Sequence, residues 1–161
     1  MEREIIRDTC FLPDGRIAYE GEGYKQGDEF IPHGRGKQYE YSDEAGEQAV
    51  FVYDGQFKDG LWNGMGTFSR DGRVIYAGEM QDNQFHGRGV FYWETTGEKN
   101  YEGDFAHSCA QGQGKAYNEQ GGLVYEGGFS DGVYDGLGRL YDGQGKLLYA
   151  GVFRDNQPVQ G

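Results

Sequence analysis

Cysteine is almost missing from this chain: Cys10 and Cys109 are the only two in 161 residues, and they form no C-x-x-C pair. That excludes a disulfide framework and a structural zinc site built on paired cysteines. Long apolar runs are missing as well. No stretch approaches the roughly 18–20 residues of a membrane-spanning helix. The N-terminus, Met1-Glu-Arg-Glu-Ile-Ile-Arg-Asp8, is charged and lacks the apolar segment of a secretory signal, so a cytoplasmic location is expected. Leu, Ile, Val and Phe are few, about 19% of the residues, in a chain of net charge −12; composition alone would suggest disorder.

The residues that are present argue otherwise. There are 13 tyrosines and 30 glycines, and they recur in a fixed pattern. Tyr53-Asp-Gly55-Gln-Phe57, Tyr76-Ala-Gly78-Glu-Met80, Tyr101-Glu-Gly103-Asp-Phe105, Tyr125-Glu-Gly127-Gly-Phe129 and Tyr149-Ala-Gly151-Val-Phe153 start 23, 25, 24 and 24 residues apart. Tyr19-Glu-Gly21 opens the series, with Gly23 in its last slot. A disordered chain has no reason to keep such a period, whereas a repeat architecture does.

Two turn signals punctuate each repeat. Asp59-Gly60, Asp82-Asn83, Asp131-Gly132 and Asp155-Asn156 follow the aromatic segment, and Asp71-Gly72, Gly97, Gly121-Gly122 and Asp142-Gly143 close the repeat. Asp-Gly and Asp-Asn suit positive φ, so both read as hairpin connections. Between them lies a segment with paired glycines, such as Gly64-Met-Gly66 or Gly136-Leu-Gly138. Glycine weakens a strand unless something packs into the space it leaves, and aromatic rings from neighbouring strands are the expected filler. The predicted fold is all-β: an elongated, single-layer, twisted antiparallel meander of successive β-hairpins, with about five full repeats and half repeats at both ends. Residues 1–10 are expected to form a cap or edge strand, and 11–161 the repeat domain. Its repeats start near Tyr19, Tyr53, Tyr76, Tyr101, Tyr125 and Tyr149.

Repeat one is longer than the others. Its excess is assigned to two enlarged turns, Gln26–His33 and Ser42–Gln48, and Phe30, Ile31 and His33 form a candidate specificity loop.

The pattern Tyr-x-Gly-x-Phe-x-Asp-Gly-x-x-x-Gly-x-Gly, clearest at Tyr53–Gly66 and Tyr125–Gly138, resembles the MORN (membrane occupation and recognition nexus) repeat family. The resemblance runs from about Phe11 to Gly161. It implies a hairpin sheet with a grooved aromatic face, used for protein binding or dimerisation, with a contested role in phospholipid binding and no catalytic residue of its own. Repeat four departs at Ala106-His-Ser-Cys-Ala110, which loses the turn signal and the aromatic before the paired glycines. This puts its local turn geometry in question.

Charge and motif decide among functions. The positions between the paired glycines read Arg35, Met65, Arg88, Gln113 and Leu137, which is no basic column. Glu20, Glu22, Asp54, Glu79, Glu102, Asp104 and Glu126 instead suggest an acidic stripe. Such a surface disfavours anionic lipid and nucleic acid alike, so membrane contact is the weaker alternative and nucleic acid is not expected. No Gly-Lys pair completes a phosphate-binding loop, and His33, His86 and His107 share no metal-ligand spacing. His107 beside Cys109 lacks an orienting acid. No enzyme activity, cofactor or metal is therefore expected. Protein recognition remains: a scaffold binding a basic or amphipathic segment, or a second copy of the chain. Its candidate groove residues are Trp62, Phe85 and Tyr134, just before the paired glycines, together with Tyr53, Tyr76, Tyr101 and Tyr125.

Overall fold

Backbone of positive φ sets the frame. Asp59 and Gly60 sit at 48° and 86°, Asp131 and Gly132 at 49° and 83°, and Asp155 and Asn156 at 49° and 70°. Two successive left-handed residues make the two-residue hairpin turn whose twist matches that of the flanking strands. The computed structural model describes residues 3–42 and 46–159, and every regular element in it is a β-strand. The chain divides into two compact units, Met1–Asn83 and Gln84–Gly161.

The first unit is a meander of β1 (Ile6–Phe11), β2 (Ile17–Gln26), β3 (Glu29–Glu40), β4 (Phe51–Lys58), β5 (Leu61–Arg70) and β6 (Arg73–Gln81), each antiparallel to the next. The second repeats the arrangement with β7 (Gln84–Tyr92), β8 (Lys99–Ala106), β9 (Cys109–Tyr117), β10 (Leu123–Ser130), β11 (Val133–Tyr141), β12 (Leu147–Arg154) and the short β13 (Gln157–Pro158). At the N-terminus β1 runs across residue 10 and pairs with β2 as an edge strand.

Two expectations need correction. Phe30, Ile31 and His33 lie in β3, not in a loop: Tyr24 pairs with Ile31 and Lys25 with Phe30, so the extra residues lengthen a hairpin around Gly27-Asp28. The Phe30 ring fills the space left by Gly23, where a Cβ would meet ring atoms at 2.5 Å. Repeat four, in turn, keeps its turn without glycine. His107 and Ser108 adopt φ of 50° and 63°, because hydrogen bonds to the flanking repeat hold them there. Of the second enlarged turn, residues 43–45 lie outside the described residues, as do Met1, Glu2, Gln160 and Gly161.

Among the described residues the buried apolar side chains are mainly aromatic, joined by Ile75 and Met80, and the strand tyrosines form a layer in each unit. Tyr53 and Tyr125 are 1% and 0% exposed. Tyr19, Tyr53, Tyr101 and Tyr125 each lie across the second of the paired glycines on the next strand. A Cβ on Gly66 would come within 2.4 Å of the Tyr53 ring, and one on Gly138 within 2.3 Å of the Tyr125 hydroxyl. The hydroxyl then donates to the backbone carbonyl three residues on, Tyr53 to Gln56 at 2.8 Å and Tyr125 to Gly128 at 2.8 Å. Glycine and tyrosine thus specify one another, since only a missing side chain lets the ring reach that carbonyl.

Candidate partner-binding groove

In the hairpins β2–β3, β4–β5, β8–β9 and β10–β11 the register slips after the strand glycine. Gly55 faces Gly66, yet Phe57 faces Trp62. The extra residues on the second strand free a backbone N–H, and in β2–β3, β4–β5 and β8–β9 the side chain opposite takes it, whereas β10–β11 has Gly128 there. Gln56 Oε1 accepts from Met65 N at 2.7 Å, Glu22 Oε1 from Arg35 N at 2.8 Å, and Asp104 Oδ2 from Gln113 N at 3.1 Å. Part of the supposed acidic stripe is therefore occupied in completing bulges.

Glu20, Asp54, Glu102 and Glu126 of that stripe are interleaved with cations. Cross-strand pairing sets Glu20 opposite Lys37 and Lys37 opposite Asp54; in the second unit Glu102 faces Lys115, Lys115 faces Glu126, and Glu126 faces Arg139. Arg88 lies 3.4 Å from Asp104, and Lys99 donates to Glu102 at 2.9 Å. That hydrogen bond holds the Glu102 carboxyl below the usual carboxylate range. The neutralising cations Lys37, Lys115 and Arg139 stand just after the paired glycines, not between them. A stripe of one sign is replaced by ladders of alternating sign.

The opposite face carries the aromatics. The strand tyrosine is clamped edge-on by two rings: Tyr125 by Phe129 and Phe153, both at 5.1 Å, and Tyr101 by Phe105 and Phe129, both at 4.9 Å. On the tyrosine's face lies the residue preceding the paired glycines. Trp62 stacks on Tyr53 at 4.5 Å and 9°, and Tyr134 on Tyr125 at 3.8 Å and 4°. Both remain half-exposed. Their backbone is fixed from the following turn: Asn83 Oδ1 accepts from Trp62 N, and Asn156 Oδ1 from Tyr134 N, each at 2.8 Å. Phe85, also half-exposed, meets Phe105 edge-on at 6.2 Å.

The predicted residues thus divide into two groups. Trp62, Phe85 and Tyr134 present surface, whereas Tyr53, Tyr76, Tyr101 and Tyr125 lie beneath as buried supports. Burial raises the pKa values of Tyr53, Tyr101 and Tyr125, that of Tyr53 to about 12, and keeps these hydroxyls neutral donors. Phe30 packs against Tyr19 at 5.8 Å. His33 Nδ1 accepts from Asp59 N at 3.0 Å, and Asp59 also receives the Tyr24 hydroxyl at 2.9 Å and an Arg3 guanidinium N–H. Ile31 is half-buried in β3 beside them. Among the described residues, no group of three or more His, Cys, Asp or Glu side chains is placed to hold a metal ion.

The second unit holds an open apolar groove of about 740 Å³, lined by Tyr101, Phe105, Phe129 and Tyr134, with Trp93 and Tyr117 among its half-exposed walls. Sequence reasoning missed Trp93 and Tyr117, which stand at strand ends outside the repeat motif. Trp93 is oriented by its indole N–H, which donates to Tyr117 O at 3.1 Å.

Residues 53–72, 76–97 and 125–147 each match the model of the MORN repeat. The chain belongs to the MORN-repeat family. The matched stretches begin at Tyr53, Tyr76 and Tyr125, so the family signature is the tyrosine–glycine clasp described above. Residues 98–124, between the second and third MORN matches, hold the hairpin β8–β9 with the same register. No curated protein matches the chain. MORN repeats commonly serve as protein- or membrane-interaction modules.

Proposed function

We propose that this chain is a non-enzymatic interaction or scaffolding module that binds a protein segment, or a second copy of itself, on its aromatic face. The observation that carries the reading is the placement of half-exposed rings, Trp62 and Tyr134, each stacked on a buried tyrosine. Rigid aromatics on a fixed backbone offer large contact area with little side-chain entropy to lose. An acidic chain, at net charge −12, favours a basic or amphipathic segment and speeds its approach at low salt.

Selection of random displayed peptides on the purified chain tests this. Peptides should be recovered, and Trp62→Ala combined with Tyr134→Ala should weaken them at least tenfold while the fold survives by circular dichroism. Recovery of no binder, together with a monomer by light scattering, would overturn it. Sedimentation with anionic vesicles tests the membrane alternative. The paired ladders, such as Glu102–Lys115–Glu126, present no single-sign surface for lipid headgroups.

A further inference from the structure

The hairpin β8–β9 lacks the stacked ring. Where Trp62 faces Phe57 and Tyr134 faces Phe129, Ala110 faces Phe105. The second aromatic of the strand is also lost: Tyr53 faces Phe68, but Tyr101 faces Ala116. Two alanines therefore stand where this chain elsewhere places large side chains. The strand has not closed over the gap, because its backbone is held as in the filled hairpin. Gly132 N–H donates to Ala110 O at 2.9 Å, as Asn156 N–H donates to Tyr134 O at 3.0 Å. Tyr101 keeps its two edge-on neighbours and has no stacked ring among the described residues. The gap is continuous with the groove of about 740 Å³, and Tyr101, at 5% exposure, forms its floor.

We infer that the notch over Ala110 and Ala116 receives an aromatic side chain from a partner polypeptide, flanked in that partner by Lys or Arg. The occupant's ring takes the role of Tyr134 in the neighbouring hairpin, entering between Phe105 and Phe129 to reach Tyr101. Its charge follows from the borders. The lining carries no charged side chain, but its residues Asn118, Gly132 and Asn156 adjoin in sequence the exposed carboxylates of Glu119, Asp131 and Asp155, and the exposed Glu98 lies against Gly121 of the Asn118 turn. A ring buried in the notch would leave basic neighbours beside these carboxylates. The inference rests on the interaction-module reading and fixes where one anchor lies.

The test uses the full chain, a peptide of sequence Gly-Lys-Lys-Trp-Lys-Lys-Gly, and its Trp→Ala and all-Lys→Glu counterparts, followed by NMR. The Trp–Lys peptide should shift the amides of Ala110 and Ala116, and the two counterparts should bind at least tenfold more weakly. Ala110→Tyr supplies the missing ring from within, so it should raise Tm and reduce binding at least tenfold. Ala116→Phe provides a second plug should Ala110→Tyr misfold. Unchanged affinity in a folded plugged variant would overturn the notch assignment, as would equal binding of the Trp→Ala peptide. If displayed peptides bind elsewhere and ignore both plugs, the notch assignment fails while the broader module reading stands. Failure of every peptide counts against both.

Discussion

Gly66→Ala tests the tyrosine–glycine clasp directly. The added methyl would sit 2.4 Å from Tyr53 Cε2 and Oη and 2.6 Å from Cζ, well inside van der Waals contact. The tyrosine must shift, and its ring is wedged between Phe57 and Trp62. Overpacking of this kind costs roughly 1–3 kcal/mol. Losing the hydroxyl's bond to Gln56 O adds about 0.5–1.5 kcal/mol, while alanine's lower chain entropy returns about 0.5–1 kcal/mol. The expected net loss centres on about 2 kcal/mol. With a urea slope of about 1–2 kcal/mol/M for so small a unit, the midpoint should fall by about 1–2 M. In a Trp93→Phe background Trp62 is the sole tryptophan, and its fluorescence reports the stack on Tyr53. The three closest atoms in the clash are outer ring atoms, which leucine lacks. Gly66→Ala should therefore cost less than 1 kcal/mol in a Tyr53→Leu background, giving a coupling of at least ~1 kcal/mol. Gly72→Ala is the control: its Cβ meets open space, but φ is +79°, so about 1 kcal/mol is lost without coupling to Tyr53. Additive costs for Gly66→Ala and Tyr53→Leu would refute the clasp.

Other predictions bear on turns, charge and pH. Ser108→Asn with His107→Asp should stabilise the second unit by about 0.5–1 kcal/mol, since Asp and Asn tolerate positive φ better and Asn can still accept from Phe85 N; a lower Tm would count against this. Asn156→Ala removes the acceptor for Tyr134 N and should cost about 1 kcal/mol in urea unfolding, with faster hydrogen exchange at that amide. Lys115→Glu places three carboxylates across adjacent strands and should lower Tm at low salt, with partial recovery in 0.5 M NaCl. Tyr19 and Tyr53 have pKa values raised to about 12, chiefly by burial. Their stabilising contribution is complete below the unfolded value of about 10 and is lost as pH rises from there to about 12, at roughly 1.4 kcal/mol per pH step for each tyrosine. Phenolate absorbance should therefore rise together with unfolding in that window, and full ionisation with the fold intact would contradict the burial argument.

The tyrosine period determined the architecture because each clasp is local: a ring, a glycine one strand away and a carbonyl three residues on. Such a unit can be read from spacing alone. The paired turns were equally legible, as Asp-Gly and Asp-Asn encode positive φ by themselves. What spacing could not show depends on partners distant in sequence. His107 and Ser108 hold a turn without the usual residues because the neighbouring hairpin supplies the hydrogen bonds. Phe30 proved to be packing for Gly23, which pairing across a long hairpin decides. The acidic stripe dissolved once register set Lys37, Lys115 and Arg139 opposite its carboxylates. Repeat four is the clearest case. Sequence recorded Ala110 as a lapse in the pattern, and only the folded hairpin, held open by its neighbours, joins it with Ala116 into a notch above Tyr101.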